Sequence, residues 1–183
     1  MQTPEPLFAA LEKILERGLI PEADLWFIWA GRDAPFVHRL AEQYHITPIF
    51  SYIGMLSKNE ADRLLYRSHL LFLTIGMSDN VSQGTVLTGE LFPYLASGVP
   101  ILAVIPDGNA KKMLEKYSEN SYVIPSGDID EITDPILDAY AIYRSGKCAA
   151  NTSEKTLAFR NKYNFRRLTG ELSEIFEKHY HRN

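Results

Sequence analysis

The sequence predicts an α/β fold, a doubly wound Rossmann-like parallel sheet with helices on both faces, and three observations carry that prediction. Short apolar runs alternate with amphipathic stretches over the first 144 residues, the pattern of repeated βαβ units. The runs LLFLTI (70–75) and ILAVI (101–105) are continuously apolar, as parallel strands covered on both faces are. Helix boundaries carry side-chain signals at both ends, as in the pair Ser57 and Glu60 or the pair Gly98 and Pro100.

Taken in order, Thr3 is a candidate N-cap, followed by Pro4 at the first helical position and Glu5 in the first turn. Leu7, Phe8, Leu11, Ile14 and Leu15 recur at helical spacing, so residues 4–17 read as an amphipathic helix closed by Gly18. LWFIWA (25–30) is an apolar strand ending at Gly31, and its two tryptophans read as core. Asp33 is placed to cap a helix from Pro35 to about His45. Residues 48–53 form a short strand ending in Gly54, and Ser57 with Glu60 makes a capping box for a helix over 58–68. After the strand at 70–75, GMSDNVSQG (76–84) is rich in turn formers and reads as a surface loop.

The most informative stretch follows: GTVLTGELFPYLASGVPILAVIP, residues 84–106. A polar loop leads to a helix start at Thr88 and Gly89, with a body over 90–97. Gly98 supplies the left-handed stop and Pro100 prevents continuation. A loop feeding a helix N-terminus presents unpaired N–H groups and the positive end of a dipole, which favours phosphate. Asp107 and Gly108 turn into a helix over 110–117, residues 121–124 form a last strand, and Asp128 caps a helix over 129–144. Residues 145–153 read as a linker. Two closing helices, 154–162 and 165–180, show Leu168, Leu172, Ile175 and Phe176 on an apolar face.

The chain has 183 residues, 45% apolar, enough for one domain with a sizeable core. A net charge of −4 without a basic run gives no nucleic-acid footprint. The single cysteine, Cys148, allows no internal disulfide and suits a reducing compartment. No apolar run approaches the roughly 20 residues that span a bilayer, and the first residues lack a signal-peptide pattern. The expectation is a cytoplasmic protein. His38, His45, His69, His179 and His181 are scattered and suggest no metal site, and neither a GxSxG elbow nor a GxxxxGK[ST] loop is present. Arg160, Lys162, Arg166 and Arg167 read as a solvated basic face.

On the segments YIGMLSKNEADRLLYRSHLLFL, TGELFPYLASGVPILAVIP, YVIPSGDIDEI and NFRRLTGELSEIFEK, the sequence resembles the C-terminal, nucleotide-sugar-binding domain of GT-B fold, retaining group 1 glycosyltransferases. The resemblance covers nearly the whole chain, most specifically TGELFPYLASGVPILA. It implies one domain over 1–183 that binds a nucleoside diphosphate sugar as donor, without a cofactor, for transfer to an acceptor with retained configuration. It implies that Ile53, Gly54, Met55 and Leu56 meet the nucleotide base through their backbone. It further implies that residues 82–88, with Thr85, face the sugar and diphosphate, and that amides around Thr88, Gly89, Glu90 and Leu91 hold phosphate. No catalytic residue is assigned.

Three positions depart from the family pattern, which has Lys at Glu90, Glu at Pro93 and Glu at Thr85. A carboxylate at 90 would repel a diphosphate unless a divalent cation bridged it, with Asp79 as the other ligand. Family domains also begin with a central strand and a Gly-rich loop ahead of the first helix, and pair with an acceptor-binding N-terminal domain. The chain therefore reads as a partial C-terminal half, a poor enzyme alone, in need of that domain or a partner chain. Where the central strand is missing, its neighbours at 25–30 and 70–75 either close up or leave edges open to oligomerisation or strand exchange. The intact enzyme would be cytoplasmic or peripheral to the membrane. Two rivals remain: a non-catalytic interaction module or inactive remnant of such a transferase, and a generic doubly wound nucleotide-binding domain, which the lack of GxGxxG weakens.

Overall fold

Local side-chain chemistry sets most element boundaries. The computed structural model describes residues 3–32, 34–75, 86–125, 127–146 and 153–180. In order these form α1 (Glu5–Glu16), β1 (Phe27–Ala30), α2 (Ala34–Gln43), β2 (Phe50–Gly54), α3 (Lys58–Arg67) and β3 (Leu71–Thr74). They continue as α4 (Leu91–Ser97), β4 (Ile101–Val104), α5 (Asn109–Tyr117), β5 (Ser121–Val123), α6 (Ile129–Arg144), α7 (Glu154–Lys162) and α8 (Phe165–Tyr180).

The first two strands start later than their apolar runs, because prolines at 21 and 48 lead into 3-10 turns at Glu22–Asp24 and Thr47–Ile49. The N-cap of α1 is Pro4 and not Thr3, although the Thr3 hydroxyl still accepts the Glu5 N–H at 3.3 Å. The expected cap Asp33 lies outside the described residues, as do the loop 76–85, Cys148 and His181. At α6 the Asp128 carboxylate accepts the N–H groups of Asp130 and Glu131, and Gly98 ends α4 at φ 75°.

The capping box of α3 forms in full. Glu60 N–H reaches the Ser57 hydroxyl, and the Glu60 carboxylate accepts the Ser57 hydroxyl at 2.6 Å and its N–H at 2.9 Å. These bonds, the hydroxyl first and then the backbone N–H, hold the Glu60 carboxyl below the ordinary glutamate range. A carboxyl lowered in the folded state stabilises above its unfolded pKa and loses that contribution as pH falls through its folded pKa. Ser57→Ala is expected to flatten the acid limb of the stability curve, read as a smaller Tm loss between neutral pH and about pH 3. An unchanged acid limb would remove the capping box from the account.

Every described ladder is parallel, and the expected sheet is divided in two. β1 pairs with β2 from Phe27↔Phe50 to Ala30↔Gly54, with a register shift after Trp29. β4 lies between β3 and β5. Among the described residues no ladder joins the two parts. They nevertheless share one helical layer. α2 packs on β2, and α1 packs on α2 and heavily on α6. These helices form one layer over both sheets, with α1 in contact with α2 and with α6. The core beneath it joins Phe8, Leu11 and Ile14 of α1 with Ile132 and Ile136 of α6, Phe27 and Phe50 of the smaller sheet, and Phe72 and Leu102 of the larger.

A second core covers only the three-stranded part, where Leu91 and Leu95 of α4, Leu114 and Tyr117 of α5 and Phe159 of α7 meet Leu71, Leu73, Ile101 and Ala103. Three expectations change here. Trp26 is 69% exposed, since it precedes β1 and is held only by its indole N–H donating to the Ser51 hydroxyl at 2.8 Å. Arg160 is no solvated cation, because its guanidinium donates to the Ala96 and Ser97 carbonyls at 2.7 and 3.4 Å and closes the C-terminus of α4. α8 buries none of its residues, and its apolar stripe from Phe165 to Phe176 faces solvent. No described helix is long and apolar enough to cross a membrane.

Candidate functional site

In a parallel sheet every strand ends at the same edge, and ligands of such folds bind there, where strand order reverses. The ends of β1 and β2 form one such edge and the ends of β3, β4 and β5 another, with the start of α1 beside the latter. Gly127, just past β5, marks the convergence: a Cβ on it would lie 3.5 Å from Val104 and 3.7 Å from Pro6.

The expected base-contacting turn follows β2. Gly54 has φ 73°, a backbone that other residues adopt only with strain. Its carbonyl accepts the Gly31 N–H at 2.8 Å, and the Tyr52 hydroxyl donates to the Gly31 carbonyl at 2.8 Å, so the ends of β1 and β2 are braced together. The turn then turns apolar side chains outward. Met55 is 69% exposed and Ile53 42%, while Leu56 is half-buried. Two exposed apolar side chains on a braced glycine turn suit a flat, apolar ligand face.

The expected phosphate-binding segment leads into α4. Thr88, Gly89 and Glu90 form a turn whose last step is the Leu91 N–H donating to the Thr88 carbonyl at 3.3 Å. Leu91 is fully buried and anchors the helix, whereas Gly89 and Glu90 are exposed, with open space around Gly89. Glu90 is the N-cap, yet its side chain makes no capping bond. α4 has seven residues, and Pro93 in its first turn has no N–H to offer. The Leu91 amide being paired, the donors left at this start are fewer than the sequence suggests.

One atom here stands out. The Thr88 hydroxyl oxygen is buried and has no hydrogen-bond partner among the described residues. An unpaired buried hydroxyl costs on the order of 1–3 kcal/mol, so such atoms are rare unless a ligand or water completes them. Sequence pattern could not reveal this, because a threonine before a helix normally bonds within its own turn. Nearby, burial and then the Glu90 carboxylate push the Tyr94 phenol up to about 12, so it stays a neutral hydroxyl at physiological pH.

The structure places Gly54, Met55 and Leu56 at the end of β2, and Thr88, Gly89, Glu90 and Leu91 at the start of α4 on the three-stranded sheet. Thr85 and Asp79 lie outside the described residues. No cluster of three or more His, Cys, Asp or Glu side chains that could hold a metal occurs among the described residues.

Two solved structures share this architecture. Over 94% of its length the chain matches HepE of Anabaena, solved in complex with UDP, at a TM-score of 0.65 and 14% identity, covering 44% of that protein. Over 97% of its length it matches the pneumococcal O-GlcNAc transferase GtfA, solved with UDP and GlcNAc, at a TM-score of 0.62 and 13% identity, covering 33% of that protein. The fold is the Rossmann-like α/β arrangement of GT-B glycosyltransferases. The chain spans less than half of either protein. No protein-family model and no curated protein matches the sequence.

Proposed function

We propose that this chain is the part of a retaining, group 1 type glycosyltransferase that binds the nucleoside diphosphate sugar, at the carboxyl edge of its sheets. The observation that carries the reading is the Thr88 hydroxyl at the start of α4, buried and without a partner among the described residues, in a fold shared with two UDP-bound proteins. In this reading Gly54, Met55 and Leu56 receive the base, with Met55 supplying apolar contact. Thr88, Gly89, Glu90 and Leu91 border the diphosphate, and Thr85 faces the sugar. The chain's part in the reaction is to hold the donor and to present hydrogen-bond donors to the leaving diphosphate. Acceptor binding belongs to a further domain or partner, since transfer requires both substrates held around one sugar.

Calorimetric titration with UDP, GDP and their sugars tests the reading. Saturable micromolar binding to one of them is the expected result. Millimolar or weaker binding to all would sink it and favour a non-catalytic interaction module, the reading that the Glu90 carboxylate at the helix start supports.

Thr88→Val separates the two in a second way. Removing an unpaired buried hydroxyl is expected to leave Tm unchanged or to raise it, while UDP binding weakens about tenfold through loss of one hydrogen bond of about 1.5 kcal/mol. Lower Tm with unchanged affinity would place the hydroxyl in the free fold instead.

A further inference from the structure

We infer, on the reading that Thr88, Gly89, Glu90 and Leu91 border a diphosphate, that Arg160 of α7 is a positioning residue for that site. It acts through the far end of α4, whose carbonyls it holds. α4 has seven residues, which makes a rod only about 10 Å long. The last four carbonyls of any helix lack partners within it. Here the Tyr94 carbonyl accepts the Ser97 hydroxyl at 2.6 Å, a bond internal to α4. The Ala96 and Ser97 carbonyls accept the Arg160 guanidinium at 2.7 and 3.4 Å, across 64 and 63 residues of chain. At the other end α4 does little to fix its own place. The Leu91 N–H meets the Thr88 carbonyl at a long 3.3 Å, Glu90 makes no capping bond, and Pro93 has no N–H.

Packing alone leaves the helix free to slide. Leu91 and Leu95 are buried and hold α4 down, but apolar burial has no direction. A planar guanidinium bonded to two successive carbonyls does have one, and it sets the helix along its axis. A rod this short moves as a unit, so a shift at Ser97 is carried to the turn at Thr88. Misplacing a group by about 1 Å can cost two orders of magnitude in function. α7 also supplies an internal comparison. Its Lys155 donates to the Glu115 and Ser118 carbonyls at 3.0 and 3.2 Å, at the end of α5. Between the two cations Phe159 is buried, with its ring 6.1 Å from Phe92 of α4 and 5.3 Å from Tyr117 of α5. One helix thus clamps two others by the same chemistry, and only α4 leads to the donor site. Lys155 and Arg160 therefore separate docking of α7 from placement of α4.

The test measures UDP affinity by calorimetry well below Tm, together with Tm itself, in three variants. Arg160→Gln is expected to weaken UDP binding about tenfold and to quicken amide exchange in α4 by a similar factor. Arg160→Lys, which keeps one charged donor, should fall between Arg160→Gln and the unsubstituted chain in both readouts. Lys155→Gln releases the end of α5 instead, so it should lower Tm and leave UDP affinity unchanged. Lower Tm with unchanged affinity in Arg160→Gln would make Arg160 merely structural and overturn the inference. Equal losses of affinity in Arg160→Gln and Lys155→Gln would overturn it too, by assigning the effect to α7 as a whole. Should Arg160→Gln not fold, full affinity in Arg160→Lys is the overturning result. Failure of the unsubstituted chain to bind UDP or GDP is a different outcome, which removes the donor-site reading and this role with it.

Discussion

Glu90→Lys is expected to tighten UDP binding about tenfold, about 1.4 kcal/mol. Glu90 is exposed at the N-cap of α4 and makes no capping bond, so its carboxylate is free to repel an anion held at the helix start. Two unit charges about 4 Å apart interact by about 4 kcal/mol at an effective dielectric of 20, and reversing one of them doubles the swing. Exposure and salt screen much of this, which is why about tenfold, and not a thousandfold, is the expected gain. Calorimetry at low and high ionic strength checks it, because the gain should shrink as salt rises. Adding Pro93→Glu should improve binding again by restoring an acceptor for the ribose hydroxyls. Unchanged affinity in Glu90→Lys at low salt would remove the diphosphate from the neighbourhood of α4.

Phe8→Ala is expected to destabilise the chain by about 3–5 kcal/mol, a large share of the about 5–15 kcal/mol by which a domain is stable. Phe8 is wholly buried under α1, with ring edges against Phe27 at 5.2 Å and Phe50 at 6.1 Å. It belongs to the core shared by the two sheets, which no ladder joins among the described residues, so its loss opens a cavity in that common core. For a chain of this size Tm should fall by about 10 °C or more. Phe165→Ala is the control, since Phe165 is 85% exposed on α8 and its removal should change stability by no more than about 0.5 kcal/mol. Equal shifts in the two variants would mean that α8 is covered in solution.

What could be read along the chain was what neighbouring residues decide among themselves. The α3 capping box depends on Ser57 and Glu60, three positions apart, and forms as the spacing predicts. Gly98 stops α4 because the left-handed backbone there suits a residue without a Cβ. The apolar runs at 70–75 and 101–105 become β3 and β4 with their interiors buried. The misses have a common form. Trp26 looked like core from its composition, but it sits one residue ahead of β1, where nothing packs over it. Arg160 looked like a surface charge, and the α4 carbonyls it bonds are 64 and 63 residues away.

The candidate site divides along the same line. That Gly54 ends β2 in a left-handed turn, and that a helix follows Thr88 and Gly89, was legible from glycines and hydrophobic period, although α4 begins at Leu91 with Glu90 as its N-cap. That the Thr88 hydroxyl is buried without a partner among the described residues, that the Leu91 amide is taken by the Thr88 carbonyl, and that Met55 stands exposed are decided by packing. Period and caps act over one or two turns of chain, so the sequence by itself determined the order of helices and strands. Strand adjacency depends on which edges find partners across long separations. Only the tertiary structure decided that, among the described residues, no ladder joins the β1–β2 sheet to the β3–β4–β5 sheet beneath one shared layer of helices.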